Sequence, residues 1–251
     1  MTADLWTACE GPTALCPLAG TLVRIVESQE QIATHRLVST LEEQAVLEEL
    51  LETSKPPRPA AAHGLHYLLA TPFRYPPLRH GSRFGRRHEP SLLYGSLQLD
   101  TVLAEAAYYR LLFWRGMAVP PKPPLTTQHA VFSADYGCER GIRLHHPPFD
   151  SWRATLTDPS DYSASQALGS AMREAGVEAF EFVSARDPAA GLNVALFSPA
   201  ALTGRRPESC QNWLAETSGD RVGFYCHEEA RVHHFEAASF LVDGVLPVAA
   251  V

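Results

Sequence analysis

Apolar positions recur along the chain with two periods, and the alternating β-type period dominates the second half. Thr21 to Val26 reads as a short strand, and Leu41 to Leu51 has helical spacing. Ser39 with Glu42, or Thr40 with Glu43, offers that helix a capping box, and Lys55-Pro56-Pro57 ends it. A proline- and alanine-rich stretch follows to Ala62, after which His66 to Ala70 and Ser91 to Leu97 read as strands. Asp100 is placed to cap a helix running to about Arg115, with Val102, Ala106, Tyr109 and Phe113 as its apolar stripe. Glu105 falls at the edge of that stripe, in position to point into a cleft. Prolines 120, 121, 123 and 124 precede strands expected at Gln128 to Ser133 and Gly141 to His145. A helix from Ser163 to Ala175 stops at Gly176. Strands are then expected at Glu178 to Ser184, Leu192 to Phe197, Asn212 to Thr217 and Arg221 to Cys226, with Ser218-Gly219-Asp220 turning between the last two. Residues 1–20 show no period and are interrupted by Gly11, Pro12, Pro17 and Gly20, so they read as an irregular N-terminal arm. Helices and strands do not alternate regularly, so the expected class is α+β with a mixed sheet, as a single domain from residue 21 to 251.

Composition narrows the function. The chain has 251 residues, 45% of them hydrophobic, enough for a full core without disulfide or metal staples. No uncharged apolar run reaches the roughly 18–20 residues of a membrane span, and the N-terminus lacks the charged start of a signal peptide, which points to a cytoplasmic protein. Five cysteines with no C-x-x-C argue for free thiols rather than a disulfide framework or zinc ribbon. With 21 basic and 28 acidic residues the net charge is −7, so direct nucleic-acid binding is not expected. Five of the nineteen arginines nevertheless fall between Arg74 and Arg87. Such a patch in an acidic protein suits a small anionic molecule, because the planar guanidinium holds phosphate bidentately.

Familiar catalytic signatures are missing. There is no G-x-S-x-G, P-loop or G-x-G-x-x-G. In the C-terminal stretch Cys226 to His234, Arg231 stands where a zincin would have its second histidine, and the other histidine pairs have no nearby third ligand, so no metal is expected. What remains is a set of residues on separate segments: Arg83 in Gly81-Ser82-Arg83-Phe84, Tyr94 in Leu92-Leu93-Tyr94-Gly95-Ser96, Glu105 in Leu103-Ala104-Glu105-Ala106, and Ser184 in Phe182-Val183-Ser184-Ala185-Arg186. Taken singly, each has an ordinary structural role.

In order and local context, these segments resemble the RES domain of bacterial toxin–antitoxin toxins. Arg24 in Val23-Arg24-Ile25 resembles that family's early strand arginine, Arg83 its loop arginine, Tyr94 its strand tyrosine and Glu105 its helix glutamate. Ser184-Ala185-Arg186, followed by Gly191 to Phe197, resembles its serine motif. The resemblance spans about residues 21–200. The N-terminal arm, the helix and proline linker at 40–62 and the tail after Leu202 depart from it.

The resemblance implies a split, mixed β-sheet like that of ADP-ribosyltransferases, with flanking helices and NAD held in a cleft as substrate. It implies cleavage of the nicotinamide–ribose bond and transfer of ADP-ribose to a protein, water or phosphate. Glu105, Arg83 and Tyr94 would be catalytic, and Arg24, Arg74, Arg83, Tyr94 and Ser184 would bind NAD. It also implies a cognate antitoxin with a DNA-binding domain that blocks the cleft. A non-catalytic nucleotide- or partner-binding module on the same fold is the alternative.

Overall fold

The computed structural model describes residues 4–28 and 37–248. In chain order these form α1 (Leu5–Ala8), β1 (Cys16–Glu27), α2 (Leu41–Ser54), α3 (Tyr67–Arg74), β2 (Leu93–Ser96), α4 (Leu99–Arg115), β3 (Leu125–Arg143), α5 (Arg153–Leu156), α6 (Ser163–Glu174), β4 (Ala179–Val183), β5 (Leu192–Leu196), β6 (Ser209–Thr217), β7 (Arg221–Cys226) and β8 (Arg231–Glu236). The class is α+β, and no described helix is long and apolar enough to cross a membrane.

The strands form one mixed sheet that divides along β3. β1 runs antiparallel to β3 from Cys16↔Gly141 to Glu27↔His129. On the other edge of β3, β6 pairs only as far as Ser133, and β4 joins in parallel at Gly141 to Arg143. One part of the sheet therefore continues through β6, β7 and β8, and the other through β4, β5 and β2. The two meet again at a single residue pair, Val23↔Ser96, beyond which β1 and β2 separate. Gly95 permits this approach, since a Cβ there would lie 3.0 Å from the Val23 carbonyl oxygen and from Leu22.

Three apolar clusters hold the layers. α4 packs Leu103, Ala107, Tyr108 and Leu111 against Val131, Trp213 and Phe224. α6 packs Leu168 and Met172 with Phe84, Phe180 and Phe182. α3 contributes Leu68 and Leu69 to a cluster with Leu22, Leu93, Phe132 and Leu196.

Several elements depart from the sequence reading. The first 20 residues are not an irregular arm. Asp4 caps α1 by accepting from the Trp6 N–H at 3.2 Å, Leu5 and Cys9 are buried beside α6, and β1 already begins at Cys16. Long β3 supplies the template, and Pro17 is accommodated at a register irregularity between Cys16 and Leu18. His66 to Ala70 is the entry to helix α3, not a strand. His66 Nδ1 accepts from the Leu68 N–H at 3.4 Å, and so short an apolar run fits either state until packing decides. The two strands expected on either side of Ser133 to Gly141 are one, because pairing with β1 carries through the interval. α4 begins at Leu99 with Gln98 at its cap position, so Asp100 lies in its first turn. The C-terminal Cys226 to His234 folds as the β7–β8 hairpin. Among the described residues no group of three His, Cys, Asp or Glu could hold a metal ion.

Candidate functional site

The stripe expected to seat α4 divides: Val102 is buried with Thr101, Leu103, Ala104, Ala107, Tyr108, Leu111 and Trp114, whereas Tyr109 and Phe113 are 50% and 63% exposed. Val102, Glu105, Ala106 and Tyr109 occupy one face at positions i, i+3, i+4 and i+7 and line a cavity of about 400 Å³. The opposite wall is the mouth of the split sheet, with Arg24 and Ile25 from β1 and Tyr94, Gly95 and Ser96 from β2. Arg83, Tyr162, Arg186 and Asn193 complete the polar lining.

Glu105 is held by one oxygen. Its Oε1 accepts from Ser184 Oγ at 2.6 Å and from Asn193 Nδ2 at 2.8 Å. The Asn193 amide is fixed in turn by Ser96 Oγ, which donates to its Oδ1 at 2.6 Å, setting which end faces the carboxylate. The Ser184 hydroxyl also accepts from the Arg186 N–H at 3.1 Å and the Asp187 N–H at 3.0 Å, which uses all its capacity. Asp187 ties this loop back to α4 by accepting from Thr101 Oγ1 at 2.8 Å. The serine thus supports the glutamate from behind, and Oε2 is the oxygen left for a ligand.

The arginine loop is positioned with equal care. Gly81 has φ of 72°, and a Cβ there would lie 2.3 Å from the Gly85 carbonyl oxygen, so the turn requires glycine. Gln166 Nε2 donates to the His80 and Ser82 carbonyls, and the Tyr94 hydroxyl lies 2.9 Å from Ser82 Oγ and accepts from the Phe84 N–H at 3.1 Å. Burial pushes the Tyr94 hydroxyl up to about 12, so it stays a neutral phenol. Arg83 stands 4.4 Å over the Tyr162 ring, and its Nη1 donates to the Leu156 and Asp158 carbonyls at 3.1 and 2.9 Å. Its buried Nη2 has no partner.

Arg24 donates through Nη1 to the Tyr94 carbonyl, replacing a ladder bond where β1 leaves β2, and its buried Nε has no partner. Burial lowers its guanidinium to about 10, still charged at neutral pH. Arg186 differs: its Nη2 donates to the Pro159 carbonyl at 2.6 Å and to Tyr162 Oη at 3.0 Å, and its guanidinium lies 3.7 Å over Tyr108.

Arg24, Arg83, Tyr94 and Glu105 therefore converge on one cleft, with Ser184 behind Glu105. Arg74 does not join them. It pairs with Glu52 at 2.7 Å and donates through Nε to the Pro56 carbonyl, on a separate concavity beneath α2. Arg74, which the resemblance implies as an NAD-binding residue, is thus placed outside this cleft: a position near the loop in sequence does not bring a side chain at the end of α3 to the Arg83 loop. Sequence reasoning missed Asn193, Arg186, Tyr109 and Tyr162. Asn193 carried a signal, being an amide within the otherwise apolar Leu192 to Phe197 run.

Comparison with known proteins accords with this geometry. The model of the RES domain family matches residues 56–216. Curated proteins give no match. A chain in the crystal structure of the M. tuberculosis MbcT–MbcA toxin–antitoxin complex is similar in fold, with a TM-score of 0.50 at 10% identity, covering 84% of this chain and 92% of that one. The family match extends over more than half of the chain and includes the Arg83 loop, Tyr94, Glu105 and Ser184, and the protein belongs to the RES domain family.

Proposed function

We propose that the protein is the toxin of a toxin–antitoxin system and cleaves the nicotinamide–ribose bond of NAD in the Glu105 cleft. The observation that carries this is the fixed carboxylate with one open oxygen, facing a cleft that also holds two half-buried arginines, each with a buried nitrogen that has no partner and neither with a carboxylate partner among the described residues. Departure of nicotinamide leaves positive charge on the ribose, and a preorganised carboxylate stabilises that charge without reorganising. Nicotinamide leaves a cationic ring as a neutral molecule, so no strong general acid is required. Arg24 and Arg83 supply charge and open N–H groups to the diphosphate. Tyr94 lines the cleft while its hydroxyl holds the Arg83 loop. Ser184 and Asn193 keep Glu105 oriented.

Water, phosphate or a protein side chain can accept the ADP-ribose after the same first step. A cognate antitoxin that covers the cleft accounts for how a cell tolerates such an enzyme, and the similar fold in the MbcT–MbcA toxin–antitoxin complex supports that partner. The test is nicotinamide release from NAD by the purified protein and by its Glu105→Gln variant, with ADP-ribose followed in the presence of phosphate or cell extract. Release that disappears in the variant supports cleavage, and the fate of ADP-ribose identifies the acceptor. Dinucleotide binding without release in the wild type favours a binding module instead.

A further inference from the structure

Residues 156–162, which lead from the end of α5 to the start of α6, are held by two arginines from different loops. Arg83 donates to the Leu156 and Asp158 carbonyls, and Arg186 to the Pro159 carbonyl. Asp158 folds the turn on itself, its Oδ1 accepting from the Ser160 and Asp161 N–H groups, both at 2.8 Å. Tyr162, the residue before α6, is the side chain on which both arginines converge. Arg83 stands 4.4 Å over its ring, and its hydroxyl accepts from Arg186 Nη2 at 3.0 Å. At 4% exposure the ring is walled in, with its polar end committed to Arg186. Arg186 is anchored in turn: its guanidinium lies over Tyr108 of α4, and its N–H donates to Ser184 Oγ, the hydroxyl that supports Glu105. Contacts therefore run unbroken from Glu105 through Ser184, Arg186 and Tyr162 to Arg83.

We propose that Tyr162 is a positioning residue, whose ring sets the plane of the Arg83 guanidinium for the diphosphate and whose hydroxyl, gripped by Arg186, ties that plane to the support of Glu105. The proposal rests on the reading of NAD as substrate. Both carbonyls that hold Arg83 bind the same nitrogen, Nη1, so by themselves they let the planar group tilt about that end. A ring face beneath the cation removes that freedom, and Nη2, buried and without a partner, then keeps one direction. The carboxylate beside the ribose and the cation beside the diphosphate must stand at the separation that the dinucleotide imposes, which is what a strut of fixed side chains between them provides. Tyr162 touches no reacting atom in this account and acts through Arg83.

Calorimetric titration of the full chain with ADP-ribose, which retains the diphosphate, tests this as a double-mutant cycle. Tyr162→Met keeps the bulk of the side chain and removes the ring and hydroxyl, whereas Tyr162→Phe restores the ring alone. Each is made in the wild type and in an Arg83→Met background, with thermal melts to verify the fold, and Tyr162→Leu replaces Tyr162→Met if the latter does not melt cooperatively. With Arg83 present, Tyr162→Met should weaken binding about tenfold, in line with a desolvated cation–ring contact, and Tyr162→Phe by no more than about threefold. In the Arg83→Met background there is no guanidinium to position, and neither change should alter binding more than about twofold. A role in folding alone would cost the same in both backgrounds. Equal losses in the two backgrounds, no loss in Tyr162→Met, a loss in Tyr162→Phe as large as in Tyr162→Met, or no ADP-ribose binding by the wild type would overturn the proposal. Failure of the NAD-cleaving reading appears elsewhere, as wild-type protein that binds ADP-ribose but releases no nicotinamide from NAD.

Discussion

Two concavities of similar size, about 400 Å³ at the split of the sheet and about 450 Å³ beneath α2, both contain arginine. Beneath α2, Arg74 meets Glu52, and Lys55 and Arg74 together hold the Glu52 carboxyl down to about 2. Its charge is neutralised within the protein. At the split, Arg24 and Arg83 are held by backbone carbonyls and keep N–H groups without partners. Volume does not separate the two concavities, whereas charge pairing does. A buried cation left without a carboxylate costs stability, and an anionic ligand offsets that cost.

The sharpest way to break this contrast is at Glu105. Glu105→Gln keeps the hydrogen-bonding shape but removes the charge, and should reduce nicotinamide release about 10²- to 10³-fold, as read from initial rates, with the melting temperature nearly unchanged. Arg24→Met should reduce release about 10- to 100-fold with little net change in thermal stability, since the removal of a desolvated charge is opposed by the lost hydrogen bond to the Tyr94 carbonyl. Arg24 also sets a pH limit. Its folded pKa of about 10 lies below the ordinary 12.5, so between those values the unfolded chain binds more protons and this group adds stability as pH rises. Turnover should nevertheless fall as pH rises through about 10, where the diphosphate loses its cation, and a pH–rate profile checks this.

Ser184→Ala should slow release about tenfold and destabilise the protein by about 1–2 kcal/mol, because the Arg186 and Asp187 N–H groups lose their acceptor. The effect should appear in both kinetics and denaturant melts. Arg74→Met marks the other end of the scale. Release should change less than about twofold, because Arg74 lies outside the cleft, and initial rates check this. A large loss of turnover there would erase the distinction between the two concavities.

Much of this was legible in the sequence, for identifiable reasons. Strands such as Leu192–Leu196 and Arg221–Cys226 are fully patterned, and Gly176, with φ of 72°, follows the C-terminal end of α6. Glu105 and Arg83 stood out only when their segments were taken together, through the resemblance to the RES domain. Elements fixed by a distant partner were not legible: β1 extends back to Cys16 because β3 lies beside it, and β3 is continuous because β1 is. The α4 stripe was read as wholly core-facing, whereas Val102 and Ala106 serve both core and cleft and Tyr109 is half-exposed at the cleft wall. Arg74 and Arg83 lie nine residues apart, and only the fold separates the paired arginine from the poised one.

The most direct test is a crystal structure of the Glu105→Gln protein with NAD bound, in which slow turnover preserves the dinucleotide. The account predicts nicotinamide riboside in the cleft, with its anomeric carbon beside residue 105 and the diphosphate against Arg24 and Arg83. NAD seated instead beneath α2 at Arg74, or in the cleft with its diphosphate away from both arginines, would contradict it.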